Sequence, residues 1–139
     1  NAFALLVAGS AARHPQKRWP GFPALVEELT ARNIQAVTAP GPDEYDLCAG
    51  LPAIMLMDGD KFLTLGQLVG LASHCEFVVG NDTGPTHMLA AAHTKGVALF
   101  GSNHSPAANT GIGEIYQIVE KPTVKDISVP EVLAAIDRL

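Results

Sequence analysis

Short apolar runs alternate with segments of helical period along almost the whole chain, and this alternation constrains the fold more than any other feature. Phe3–Ala8 is a continuous apolar run of strand length. Pro20 opens a predicted helix to about Arg32, with Phe22, Leu25, Val26 and Leu29 at helical spacing. Gln35–Thr38 reads as a second strand, Asp43 or Glu44 begins a short helix to Leu51, and Ala53–Met57 reads as a third strand. Leu65 to Ser73 is helical, Glu76–Val79 is a strand, and Pro85–His93 is again helical. Val97–Phe100 follows as a strand, then a long polar loop over Gly101–Gly113, a sixth strand at Tyr116–Val119 and a last helix at Val129–Leu139. Strands that alternate with helices are joined by right-handed crossovers and lie parallel. The expected fold is therefore α/β: a doubly wound, mostly parallel sheet of about six strands in a single domain. Aromatic residues make up only 6% of a chain that is 47% hydrophobic, so the core is built from Ala, Leu, Val and Ile. Such a core suits a sheet covered on both faces.

Several classes are disfavoured. A net charge of −5 argues against a general nucleic-acid binder. No apolar run approaches the roughly 18 residues of a membrane helix, so no transmembrane segment is expected. Cys48 and Cys75 have neither metal nor redox spacing and read as reduced, buried thiols of a cytosolic protein. The five histidines lack metal-ligand spacing, so no metal site is expected. The dinucleotide fingerprint G-x-G-x-x-G is absent, which disfavours NAD. A strand beginning almost at once after Asn1 reads as a domain of a longer protein.

Ligands of doubly wound sheets bind beyond the carboxyl ends of the strands. Four polar loops leave those ends: Gly9–Pro20, Ala39–Glu44, Asn81–His87 and Gly101–Gly113. The third is the most telling. Gly80-Asn81-Asp82-Thr83-Gly84-Pro85-Thr86-His87 reads as strand, tight turn and helix start, with Gly84 permitting the turn and Pro85 at the first helical position. A helix N-terminus offers free N–H groups and partial positive charge, which suit an anion such as phosphate. Asp82, Thr83 and His87 stand at the same mouth; His87 reads as a phosphate donor or as a structural residue. The first loop is longer than most and holds Ser10, Arg13 and Lys17, with Arg18 adding to the basic cluster. It reads as a phosphate clamp, or as a solvated basic loop anchored by Trp19. Asp43 and Glu44 read as ribose ligands or as carboxylates favourable to a helix start.

Asn81-Asp82-Thr83-Gly84-Pro85-Thr86-His87, an Ala-rich helix and Val97-Ala98-Leu99-Phe100-Gly101 together resemble the signature of glycosyltransferase family nine, the bacterial heptosyltransferases of lipopolysaccharide core synthesis. Lys17-Arg18-Trp19-Pro20 is a second match, in the right order. The resemblance implies a Rossmann-like C-terminal half of a two-domain GT-B enzyme, spanning residues 1–139 and binding the nucleotide-sugar donor, typically ADP-heptose. It implies that Lys17 contacts the donor diphosphate, that Thr83 and Gly84 hold it, and that Asp82 reaches the donor sugar. His87 matches a histidine of the same helix start, Ser10 lies in the clamp loop, Glu44 falls at a ribose position and Leu63 beside the adenine. The implied reaction is inverting and needs no metal or cofactor. Its general base would lie in an N-terminal acceptor domain, so these residues alone would transfer nothing. A glycolipid or glycan acceptor follows, and a cytoplasmic location peripheral to the inner membrane. Departures stand at Ala8, where many members have Pro, at Thr86, and at His93-Thr94-Lys95-Gly96. The alternatives are a non-catalytic nucleotide or nucleotide-sugar binding module of GT-B-like fold, or another enzyme of this fold such as a 2-epimerase.

Overall fold

The computed structural model describes residues 2–139. Among them six strands and five α-helices alternate: β1 (Phe3–Val7), α1 (Phe22–Ala31), β2 (Gln35–Thr38), α2 (Tyr45–Ala49), β3 (Ile54–Met55), α3 (Leu65–Ala72), β4 (Phe77–Asn81), α4 (Gly84–Ala91), β5 (Gly96–Gly101), β6 (Gln117–Lys121) and α5 (Val129–Asp137). The strands form one sheet in the order β3-β2-β1-β4-β5-β6. Every pairing is parallel, so the doubly wound expectation holds for the whole sheet. The strand order reverses between β1 and β4, and such a switch point leaves a crevice at the carboxyl ends.

The apolar runs have a simple cause. Ala4, Leu6 and Ala8 of the first run pack on one face with Phe22, Leu25 and Leu29 of α1 and Val132 and Ala135 of α5. Leu5, one residue out of phase, packs on the other face with Leu68 and Ala72 of α3 and Leu89 and Ala90 of α4. Both faces of the strand are therefore buried, and the usual polar alternation is absent. Helix ends follow their local sequence. Thr64 and Gln67 form a reciprocal capping box at the start of α3, and Ser128 accepts from the Glu131 amide at the start of α5.

Several elements differ from the sequence expectation: β3 is cut to Ile54–Met55, α2 ends at Ala49, and β6 begins at Gln117 and runs on to Lys121. Helix α1 starts at Phe22 with Gly21 as its N-cap, not at Pro20; Pro23 occupies the first turn, where no backbone donor is needed. Strand β4 runs on through Gly80 and Asn81. The loop after β5 is not uniformly polar. It contains short 3-10 turns at Ala107–Asn109 and Ile112–Glu114, with Ala107 and Ile112 buried in the second core cluster. Cys48 is buried and Cys75 half-buried, both as free thiols, and burial pushes both upward from the ordinary thiol pKa. Among the described residues no helix is long and apolar enough to cross a membrane.

Gly80 is fixed by close approach. A Cβ there would overlap Thr86 Oγ1 and stand 3.1 Å from Val7 Cβ. Thr86 has no exposed surface and cannot swing away. Gly80→Ala is therefore expected to cost about 1–3 kcal/mol, read from urea unfolding. A variant as stable as the parent would mean that the start of α4 moves freely, contrary to its packing.

Candidate functional site

The carboxyl ends of β1, β2 and β4 open on a cleft of about 500 Å³ whose wall includes Ser10, Lys17, Glu44, Asp82, Thr83 and Gly84. Three of the four strand-end loops meet there. The fourth, after β5, reaches only a small recess beside it through His104 and Ser105, and that recess shares Lys17 and Asp82 with the cleft. An apolar recess of about 120 Å³ adjoins it on the other side, sharing Gly41, Glu44 and Pro85, with Leu63, Leu65 and Leu68 in its wall. A larger groove of about 600 Å³ lies at the amino ends of β2 and β3, among Asn33, Gln35 and Ile54, and no charged side chain lines it. The chemistry is in the smaller space.

Helix α4 presents its N-terminus to the cleft. Thr83, its N-cap, is extended, and its side chain makes no capping hydrogen bond. The first bond of the helix runs from the His87 amide to Thr83 O at 3.1 Å. Gly84 lines the cleft and its amide precedes that bond, so it stays open to an acceptor, while Pro85 has no N–H and Thr86 has no exposed surface. Gly84 is not required by the turn. Its φ lies outside the left-handed region, and a Cβ there would meet nothing within 4 Å. What the missing side chain leaves is open space at the cleft wall, while the sterically required glycine is Gly80.

Asp82 is 6% exposed and holds two partners. His87 Nε2 lies 2.7 Å from Oδ1 and donates to it, since an ionised carboxylate only accepts. The His87 ring stands edge-on to buried Phe100, with centroids 6.1 Å apart. Lys17 Nζ lies 3.4 Å from Oδ2. That oxygen is buried and has no hydrogen-bonding partner of good geometry among the described residues. Burial works against the charge on Asp82. The hydrogen bond from His87 and the positive charge of Lys17 outweigh it, and hold the carboxyl below its ordinary pKa. Asp82 is thus a fixed negative charge beside a helix N-terminus, with a lysine across it.

The first loop divides its basic residues between two jobs. Lys17 closes a 3-10 turn at Pro15–Lys17 and faces Asp82. Arg18 turns the other way: it donates to Ser10 Oγ (3.1 Å), Ser10 O (2.8 Å) and Asp43 O (3.2 Å). Ser10 is 1% exposed and its hydroxyl donates to His14 O at 2.7 Å, so it lines the cleft but is committed to the loop's own shape. Arg13 is exposed, at the rim. Trp19 is the anchor: its indole donates to Ile127 O at 2.9 Å and packs edge-on against Phe22. Asn81 joins this loop to β4. It has no exposed surface, accepts from the Trp19 amide at 3.1 Å, and donates to Ala8 O and Gly9 O at 3.0 and 3.2 Å. The sequence places Arg18 in a basic cluster suited to an anion, whereas the structure commits it to Ser10 and Asp43; the sequence assigns no role to Asn81, for which a polar amide ending an apolar strand is the available signal.

Glu44 stands where the cleft meets the apolar recess. Its Oε2 accepts from the Gly41 amide at 2.9 Å, and its side chain lies so close to Gly9 that a Cβ there would overlap it. Asp43 instead accepts from the Ala12 amide at 3.0 Å. Leu63 lines the recess behind Glu44. The structure thus brings Lys17, Glu44, Asp82, Thr83 and Gly84 to one cleft, with Leu63 behind it and His87 bound to Asp82.

Residues 3–129 match the sequence profile of glycosyltransferase family 9 (heptosyltransferase). Lipopolysaccharide heptosyltransferase 3 of Escherichia coli is 32% identical over 102 residues, an alignment covering 66% of this chain and 29% of the relative. The fold matches that of E. coli ADP-heptose lps heptosyltransferase II with a TM-score of 0.79 at 23% identity, over 99% of this chain and 46% of that one. It also matches the E. coli heptosyltransferase WaaC with ADP-2-deoxy-2-fluoro heptose, with a TM-score of 0.76 at 18% identity, over 99% of this chain and 43% of that one. The chain therefore spans less than half the length of these relatives.

Proposed function

This chain belongs to glycosyltransferase family 9, and from that premise we propose that it binds the nucleotide-sugar donor of a heptosyltransferase-type enzyme, with ADP-heptose as the donor. The observation that carries the reading is the uncapped N-terminus of α4 facing Lys17 and Asp82 in one cleft. A relative of the same fold was solved with an ADP-sugar, which supports the choice of nucleotide. The cleft suits the four parts of such a donor. The apolar recess at Leu63, Leu65 and Leu68 takes the flat base, and the free oxygen of Glu44 accepts from the ribose. Lys17 and the amide of Gly84 at the start of α4 hold the diphosphate, and Asp82 accepts from the sugar hydroxyls. Ser10 and His87 act one step back, Ser10 by shaping the loop that carries Lys17 and His87 by orienting Asp82.

The reaction we assign is sugar transfer with inversion at the anomeric carbon. As the bond to the diphosphate breaks, negative charge grows on the departing phosphate oxygen. Lys17 and the helix N-terminus are placed to stabilise that charge, and one well-placed donor of this kind is commonly worth about 3–4 kcal/mol. This supplies the role that a divalent ion fills in other transferases. The base that activates the acceptor hydroxyl belongs, in this proposal, to an N-terminal acceptor domain, and the acceptor is of lipopolysaccharide-core type. Residues 1–139 alone are then a binding unit that transfers no sugar. The setting proposed is cytoplasmic, against the inner membrane.

Titrating ADP into isotopically labelled chain tests this reading. Amide shifts are expected at residues 9–18, 41–44, 63–68 and 82–87. Absence of any shift in a folded sample, or shifts confined to the groove around Asn33 and Ile54, would sink it.

A further inference from the structure

Building on the reading of the cleft as a nucleotide-sugar site, we propose that Asp82 sets a preference for a nucleoside diphosphate whose terminal phosphate is esterified by a sugar over the free nucleoside diphosphate. Asp82 is thereby a specificity residue that works against retention of the product.

The argument starts from what surrounds the carboxylate. Oδ1 is occupied by His87 at 2.7 Å. Oδ2 has no hydrogen-bond donor of good geometry among the described residues, only the ion pair with Lys17 at 3.4 Å. Lys17 is the more loosely held partner: its contact with Oδ2 is 3.4 Å against 2.7 Å for His87 on Oδ1, and it sits on a flexible stem. A diphosphate held at the Gly84 amide must draw Lys17 toward itself, because Gly84, Lys17 and Asp82 line the same cleft. Lys17 then exchanges one anion for another, and Oδ2 loses its compensation.

What happens next depends on the group beyond the terminal phosphate. In a nucleotide-sugar that phosphate is a diester with one negative charge, and the sugar carries hydroxyl donors. A hydroxyl can replace Lys17 at Oδ2, so the buried acceptor is satisfied. In the free nucleoside diphosphate the terminal phosphate gains a second negative charge, with a pKa near ~6, and offers no donor once ionised. The buried carboxylate then faces a like charge with its lysine drawn off. Burial strengthens that repulsion relative to water. The penalty falls on the free diphosphate alone, which is also the group left behind by transfer.

The experiment is calorimetric titration of the full chain with ADP and with ADP-heptose, for the parent and for Asp82→Asn. Asparagine keeps an oxygen for His87 and removes the charge. The variant is expected to bind ADP about tenfold more tightly or better, and ADP-heptose no more tightly, so that the preference shrinks. Since the variant removes an ion pair, the parent supplies a second measurement. Raising the pH from about 5.5 to 8 ionises the terminal phosphate of ADP, so the parent's preference for ADP-heptose is expected to widen. Lys17, His87, His104, Arg13, His14, Asp43 and Glu44 also face this region, and any change in their charge enters both affinities; the ratio is therefore the readout. A ratio unmoved by Asp82→Asn and by pH, with both ligands bound, overturns this proposal and leaves the reading of the cleft standing. Failure of the folded parent to bind either ligand overturns both.

Discussion

A Lys17→Met variant is expected to bind ADP roughly 10- to 150-fold more weakly than the parent, the loss associated with one charge-assisted hydrogen bond of about 1.5–3 kcal/mol. In the full protein the rate of sugar transfer is expected to fall further, by about 100- to 1000-fold, since leaving-group charge is greatest in the transition state. The reason lies in the geometry. Lys17 is the one basic side chain of its loop that faces Asp82, because Arg18 is turned into the protein by its bonds to Ser10 and Asp43. Arg18 is thus not free to substitute for it. Methionine keeps most of the stem and its packing, so the comparison isolates the charge. Parent-like ADP affinity in Lys17→Met would exclude the lysine as a diphosphate ligand and would move the anion site to the start of α4 alone.

The largest effect on stability is expected at Asn81. Asn81→Ala removes the partners of the Trp19 amide and of the Ala8 and Gly9 carbonyls, all in a setting without exposed surface. An unsatisfied buried backbone group costs about 1–3 kcal/mol, and partial entry of water softens the total, so a loss of about 3–4 kcal/mol is expected from urea unfolding. The same change should weaken ADP binding under conditions where the variant is still folded, because Asn81 fixes the loop that carries Lys17 relative to the turn that carries Thr83 and Gly84. A loss below about 1 kcal/mol would mean that the two loops are held together by other contacts.

Much of the fold was legible because its cause is local. Phe3–Val7 and Phe77–Val79 are apolar without interruption, which a strand buried on both faces requires. The spacing of Phe22, Leu25, Val26 and Leu29 placed the buried face of α1. The cleft was legible at the same level, since a doubly wound sheet sends its loops to one edge and the Asn81–His87 turn is rich in polar residues. Direction was not legible. Lys17 and Arg18 are neighbours of like charge, and only the tertiary positions of Ser10 and Asp43 send one inward and the other to Asp82. Ser10 looked like a free hydroxyl until the carbonyl of His14 and the guanidinium of Arg18 came within reach. Gly84 looked obligatory because a glycine before a proline marks a turn; the constraint sits four residues earlier, at Gly80, where the neighbour that forbids a side chain is Thr86. The polar loop after β5 conceals Ala107 and Ile112, two apolar residues without a period to betray them.

Trp19 is the only tryptophan in the sequence. It sits two residues from Lys17, 3% exposed, with its indole on Ile127 O and its amide on Asn81. Its emission is accordingly a single-site optical signal from the clamp loop, uncontaminated by any second indole. The acceptor of that indole lies just before α5. The first loop and the last helix therefore share one reporter, and shortening the chain from its C-terminal end past Ile127 would change the colour of a residue more than a hundred positions away.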